Sequence, residues 1–522
     1  MQEYIYIILE GRYIMKKRIK SLALITNLIL VIALFIGSNN SVVSAKTYHK
    51  AVTKIAGNVN YPIYHHVSKK GPTGKFSSTK YFKFAQIQSK QSISTKKGEY
   101  WKIIVDGRPV GWVKQDFFVR NQISVAKNVS LVQNSAFNFD SKDAVNYVTD
   151  AQGTAIDLAK VKTSHSSINS ASPGKTTVEY TYGSAKASVD VVVRSDKNEG
   201  IARASLRPMN GPKEVSTWKG SSPSSSRNWN AAHNFRSETR ANAFRSNGLT
   251  LKTILFQPRF VSLDYNKAAD KMGQVGVIPE GITVKDSNFT VAVFNSSSAA
   301  YGHLVSYNLN QINKFKAQNL PQLKWSTFKH YASHIKVSPY IKLGHGQAIG
   351  SSENYIYVIA NNNKSKNSNN SEEILQIRKS DMKINQIWSF RIWSGTSPRY
   401  IHNATFADDN TMYCLFHNGA NNYYEYWKVT RSGDTWTPIQ VGATKGNFIS
   451  NGSPVQGFTY DKKHRQFFIG FNDYIFKVAE NGTYQATHHL HVKREIEGLS
   501  ADKGKLYVEF AQRGELTAGK IN

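Results

Sequence analysis

The chain of 522 residues is poor in four things, and each absence excludes something. A single cysteine excludes a disulfide scaffold, a thiolate zinc site and an iron–sulfur cluster. Acids are scarce, 35 Asp and Glu against 67 Lys and Arg, so a polyanion is needed as partner or neighbour. No apolar run after residue 36 is long enough to span a bilayer, and a mean hydropathy of −0.43 excludes a polytopic membrane protein. Helical periodicity is almost missing after residue 46. What remains is 40% hydrophobic and 12% aromatic residues, which excludes a wholly disordered chain, and a length suited to about three or four domains.

The N-terminus reads as an export signal. The basic cluster Lys16-Lys17-Arg18-Ile19-Lys20 precedes an apolar run of 15 residues, Leu22 to Ile36, and Val43-Ser44-Ala45 offers small residues before Lys46. Cleavage after residue 45 is expected; the alternative is an uncleaved anchor, for which the run is short. Met15 is an alternative start. Export removes nucleic acid as the default partner and leaves no integral membrane segment in the mature chain. A secreted chain without disulfides fits the surface of a Gram-positive bacterium, where the abundant polyanions are wall and lipoteichoic acids. The last residues carry no sorting motif or hydrophobic tail, so retention there would be noncovalent.

Short alternating runs rich in Val, Ile, Tyr, Phe and Thr, broken by Gly, Asn, Asp and Ser, continue to the end of the chain, an all-β pattern. In residues 46–121, Tyr100-Trp101-Lys102-Ile103-Ile104-Val105 alternates, Asp106-Gly107-Arg108-Pro109 turns, and Val110-Gly111-Trp112-Val113 returns. This stretch resembles a GW module, a bacterial relative of the SH3 barrel, Gly111-Trp112 being the dipeptide that names the family. The resemblance implies noncovalent attachment to teichoic acid. Between residues 69 and 102 nine lysines stand against one acid, Glu99. Flexible ammonium groups suit a polyphosphate chain, which sets no bidentate geometry. Lys69, Lys70, Lys75, Lys80, Lys83, Lys96 and Lys97, with Trp112, are the polyanion-binding candidates, although Trp112 also suits the core. The alternative is a solvated charged face.

Residues 122–195 alternate in Val129-Ser130-Leu131, Thr177 to Tyr182 and Ala187 to Val193, with Pro173-Gly174 before the penultimate strand. They resemble bacterial Ig-like domains, which implies a β-sandwich acting as a spacer. Residues 196–235, including Ser221-Ser222-Pro223-Ser224-Ser225-Ser226, read as a flexible Ser-rich linker.

From 236 to 522 a weak repeat appears. A polar residue followed by a small one opens each unit, at Glu280, Gln347, Asn403, Gln456 and Glu497, with intervals of 41 to 67 residues. Short strand pairs follow each opening. This fits a five-bladed β-propeller with insertions such as 361–371, closed by the strand near Leu251–Phe256 against the C-terminus; a pair of β-sandwiches is the alternative fold. Tyr301-Gly302-His303-Leu304-Val305-Ser306-Tyr307-Asn308-Leu309-Asn310-Gln311-Ile312-Asn313, with Pro258-Arg259-Phe260 and Glu495-Ile496-Glu497-Gly498-Leu499, is similar to helveticin J, a large bacteriocin of lactic-acid bacteria. That resemblance implies a secreted antibacterial protein.

Enzyme signatures are missing: there is no Gly-x-Ser-x-Gly elbow, His-Glu-x-x-His or Asp-x-Asp-x-Asp-Gly loop. No cofactor and no catalytic residue is expected. Cys414 sits in an apolar run and reads as a core thiol. His489 and His491 are a metal pair or surface histidines. Ser432-Gly433-Asp434-Thr435-Trp436 is similar to part of a sialidase Asp-box and reads as a turn. The five openings, Glu280, Gln347, Asn403, Gln456 and Glu497, would ring the channel at one level and hold a cation or a sugar, or else satisfy strand-end backbone and water.

The leading expectation is a secreted, wall-associated, non-enzymatic helveticin J-like bacteriocin acting on an envelope glycan or receptor of related Gram-positive cells. The runner-up is a teichoic-acid-anchored adhesin or carbohydrate-binding protein. A glycan-hydrolysing propeller comes third.

Overall fold

The computed structural model describes residues 45–135, 137–202, 206–217, 237–258, 278–295, 299–360, 372–450, 452, 454–492, 494–511 and 514–522. The export signal, Ser221–Ser226, Arg259-Phe260 and the insertion 361–371 lie outside the described residues. Among those described, no helix is long and apolar enough to cross a membrane.

The first sheet has six strands, in the order Lys46–Lys54, Ile87–Thr95, Gly98–Val105, Arg108–Lys114, Pro62–Ser68 and Gly71–Ser78. Alternation sends Trp101, Ile103, Val105 and Val113 into its core, all with no exposure. The expected turn is a two-residue hairpin with Asp106 at φ 45° and Gly107 at φ 79°, the primed geometry that Asp-Gly favours. The two edge strands do not pair with each other, so the sheet is open rather than a closed barrel.

Five further sheets form the propeller. Blade 1 holds Ile278–Lys285, Asn288–Phe294, Tyr301–Asn308 and Ile335–Val337; blade 2 holds Ile349–Ser351, Tyr355–Ile359, Glu372–Arg378 and Ile384–Phe390. Blade 3 holds Asn403–Asp408, Thr411–Asn418, Tyr423–Ser432 and Thr435–Lys445; blade 4 holds Gly457–Asp461, Gln466–Phe471, Tyr474–Ala479 and Tyr484–His489. Blade 5 takes Ile496–Asp502, Lys505–Phe510 and Glu515–Lys520 from the end of the chain, and Leu249–Phe256 and Ala243–Ser246 from 250 residues earlier. Lys252 stands opposite Ala518 and Phe256 opposite Glu515, so the ring is latched by the expected pairing. The first strand of each blade neighbours the first strands of the blades on either side, which sets them around the axis.

Residues 122–193 are not a detached spacer. The strand Asn128–Leu131 pairs in parallel with the Val-rich strand Ala185–Val193 on one side and with Ile384–Phe390 of blade 2 on the other, giving one eight-stranded sheet. Val129, Val178, Tyr180 and Val191 share a single core with Ile356, Leu375, Ile377 and Ile387. A buried ion cluster rivets the same junction: Lys342 Nζ lies 2.5 Å from Asp143 and 3.1 Å from Glu373, and Tyr301 Oη donates to Asp143 at 2.9 Å. The expected flexible linker is also partly corrected. Met209 exchanges hydrogen bonds with Ala443 and Lys445, and Val215 with Phe448 and Ser450, so residues 206–217 strap blades 3 and 4.

The first sheet joins the body as well. The helix α1, Trp325–Ser333, carries Trp325 and Phe328 onto Phe82, and the Arg108 guanidinium covers both at 5.4 and 4.9 Å while donating to Leu323 O.

Candidate functional site

Two places carry the candidate residues. On the first sheet, one hairpin tip holds Lys69-Lys70 and the next holds Lys96-Lys97. The tips lie side by side, because the Lys96 amide donates to Lys69 O at 3.4 Å and the Lys97 stem crosses Gly71. Gly71 has φ 125°, a conformation that favours glycine, and a Cβ there would stand 3.0 Å from Lys97 Cδ. These four lysines are exposed, as are Lys75 and Lys80, and Lys83 is half-buried. Among the described residues none of the seven pairs with a carboxylate. Four unneutralised ammonium groups from turns 27 residues apart make a focused positive surface.

Lys80 Nζ lies 5.0 Å from the Tyr81 ring, and Lys329 of α1 approaches the same ring at 4.8 Å. Lys329 adds to the basic surface from a distant part of the sequence, so only the packing of α1 reveals it. Of the two roles open to Trp112, its burial fits the core. Register sets it beside Lys102 and Tyr64 on the sheet face opposite Val113, but only 7% of it is exposed.

The second place is the channel. All five openings sit at the amino ends of the innermost strands. Three join in a chain that sequence alone did not complete: Gln347 Nε2 donates to Glu280 at 3.4 Å and to Gln456 Oε1, whose own amide donates to Glu495. Glu495 is the residue missed; it lies two before an opening, where alternation gave it no distinction. Glu497 has 6% exposure and lies near enough to Glu280 and Glu495 for their charges to act on it. Asn403 does not join the chain, since it is fully buried with Oδ1 accepting from the Ala404 amide at 2.9 Å. Of the five, Glu280, Gln347 and Gln456 are therefore the ones joined by side-chain hydrogen bonds.

Burial controls the chemistry here. It pushes the Glu280 carboxyl up to about 8 and Glu495 to about 7, and it raises Glu497 well above the usual range with help from the Glu280 charge. Buried carboxyls set among amides form an array that can both donate and accept hydrogen bonds. Among the described residues no group of three His, Cys, Asp or Glu side chains is placed to hold a metal ion, His489 and His491 included. A cavity of about 190 Å³ adjoins the array, lined by His345, Gln347, Tyr400, His402 and Val455. Burial lowers both histidines, His402 to about 4, so both are neutral at pH 7.

Cys414 is fully buried in blade 3, its thiol pushed up by burial. The Ser432–Trp436 segment is the expected hairpin turn, and Asp434 uses it to accept from Trp388 Nε1 at 2.7 Å in blade 2.

Residues 44–118 match the GW (Gly-Tryp) dipeptide domain, and GW domains are generally cell-wall-binding modules. No curated protein matches the chain. Among solved structures, a gluconolactonase from Xanthomonas campestris is 8% identical, covers 55% of this chain and 99% of its own, and has a TM-score of 0.31. A glutaminyl cyclase from Myxococcus xanthus is 8% identical over 54% and 97%, with a TM-score of 0.29. The β-propeller domain of Cps50 (Swd1) from Myceliophteria thermophila is 9% identical over 45% and 62%, with a TM-score of 0.23. Likenesses this loose carry no argument about function.

Proposed function

We propose that the protein is held noncovalently at a Gram-positive cell surface by its GW domain, which grips wall or lipoteichoic acid, and that it presents the propeller as a non-enzymatic binding module. The observation that supports this reading is the convergence of Lys69, Lys70, Lys96 and Lys97 at paired hairpin tips with no carboxylate partner among the described residues. Counterion release makes such binding fall with salt. The test is co-sedimentation of the intact chain with purified walls, native or stripped of phosphate polymer. Binding to native walls that falls with salt and with K69Q/K70Q/K96Q/K97Q is expected; equal binding to stripped walls overturns the reading.

The similarity of the Tyr301–Asn313 stretch, which supplies the third strand of blade 1, to helveticin J favours a second reading: a bacteriocin that kills related cells. Survivor counts after adding the intact chain to related Gram-positive cells decide it. Wall binding without killing returns the adhesin or carbohydrate-binding reading, and release of reducing sugar from walls would replace both with glycan hydrolysis.

A further inference from the structure

The carboxyl ends of the innermost strands hold a second constellation. Each strand carries one buried hydroxyl a few residues past its opening: Thr283, Ser351, Thr405, Thr459 and Ser500. All five line one cavity of about 350 Å³, to which every blade contributes. That volume lies at the small end of ligand pockets, roughly 300–1,000 Å³. The hydroxyls keep unused hydrogen-bonding capacity. Thr283 and Ser351 share one bond of 2.9 Å, Thr459 accepts from the Ala501 amide at 2.9 Å, and Ser500 accepts from the Val284 amide at 2.8 Å and donates to Val284 O at a long 3.5 Å. Thr405 has no side-chain partner among the described residues.

Lys285, Lys462, Lys463 and Lys503 line the same cavity, with Asp461 and Asp502. Both acids are already engaged: Asp461 with His464 at 2.5 Å and Gln466 at 3.2 Å, Asp502 with Lys285 at 3.4 Å and the Asp286 amide at 3.1 Å. Lys503 is taken by Asp286. Lys462 and Lys463 are exposed and, among the described residues, pair with no carboxylate. Phe406 and Tyr460 supply an apolar wall.

We infer that this cavity binds a polyol phosphate, with the hydroxyl collar taking the polyol and Lys462 and Lys463 taking the phosphate. Hydroxyl-rich lining beside free ammonium groups is the pairing that such a ligand needs. The inference stands apart from the wall-binding reading, because its residues lie on other sheets than the hairpin-tip lysines.

The experiment is calorimetric titration of the intact chain with glycerol phosphate, glycerol and inorganic phosphate. It is repeated on K462Q/K463Q, on T405V and on K69Q/K70Q/K96Q/K97Q, each checked for fold by circular dichroism. One-site binding of glycerol phosphate is expected, about tenfold tighter than phosphate and weakened about tenfold by K462Q/K463Q, with T405V also weaker. The hairpin-tip variant should retain the saturable binding that K462Q/K463Q weakens. Absence of saturable binding by the folded chain overturns the inference, as does binding lost in the hairpin-tip variant and kept in K462Q/K463Q. A second arm uses poly(glycerol phosphate) with the hairpin-tip variant. Retention that K462Q/K463Q abolishes identifies polymer as the source of the ligand, whereas binding of monomer alone identifies the free compound.

Discussion

Replacing Glu280 with glutamine tests the account of the channel directly. In the unfolded chain this carboxyl loses its proton near 4.5; in the fold it keeps it to about 8, because burial and the Glu495 charge disfavour ionisation. Between those values the folded state binds more protons than the unfolded state, so this group's contribution is present at low pH and fades as pH rises through 8. At about 1.4 kcal/mol per pKa unit, the ceiling is about 5 kcal/mol. Glu495 and Glu497 share the titration, so the portion removed with Glu280 alone is on the order of 2 kcal/mol. Glutamine keeps the acceptor for Gln347, 3.4 Å away, and cannot ionise. Urea unfolding followed by tryptophan fluorescence at pH 5 and pH 9 is the assay. The stability of Glu280→Gln relative to the natural chain should improve by about 2 kcal/mol between the two conditions. An unchanged difference would refute the claim that buried carboxyls at the axis hold their protons.

Three more expectations follow from packing. Lys342→Met leaves Asp143 and Glu373 buried without their cation and should cost about 3–5 kcal/mol in urea unfolding; a loss under about 1 kcal/mol contradicts the rivet. Lys54 is lowered to about 7 by burial, with its ammonium 3.4 Å from the Trp101 ring, so its folded form binds fewer protons than the unfolded form above that value. Stability should therefore rise with pH from 7 towards 10 through this group, and Lys54→Met should abolish that slope in thermal melts across the range. Deleting Glu515–Asn522 removes the strand between Lys505–Phe510 and Leu249–Phe256, and near-ultraviolet circular dichroism should show loss of fixed packing throughout the propeller; a native spectrum would contradict the latch.

Much of this was legible locally. Asp106-Gly107 is a primed turn by its own chemistry, and the alternation of Tyr100 to Val105 places Trp101 and Ile103 inward. The repeat of a polar then a small residue located all five innermost strands, since the small residue is required where neighbouring strands approach. A Cβ on Gly281 would stand 2.2 Å from Gly346 O, and one on Gly498 2.7 Å from the Ile282 amide. Other features had no local signature. Glu495 resembles any polar residue before a strand, and its role depends on Gln456 reaching it from the neighbouring blade.

Strand positions, turns, charge and blade count are matters of period and side-chain chemistry within a few residues, and the sequence by itself determined them. Which edges meet is a matter of pairing between segments hundreds of residues apart, and only the tertiary structure decided it. Asn128–Leu131 is a short apolar strand that would satisfy its backbone against any open edge, and nothing within it names Ile384–Phe390 as the partner. The fold chose that edge because it merges two apolar faces into one core and surrounds Lys342 with two buried acids. A chain that reads as three modules and a linker is, over its described residues from Thr47 to Asn522, one compact body.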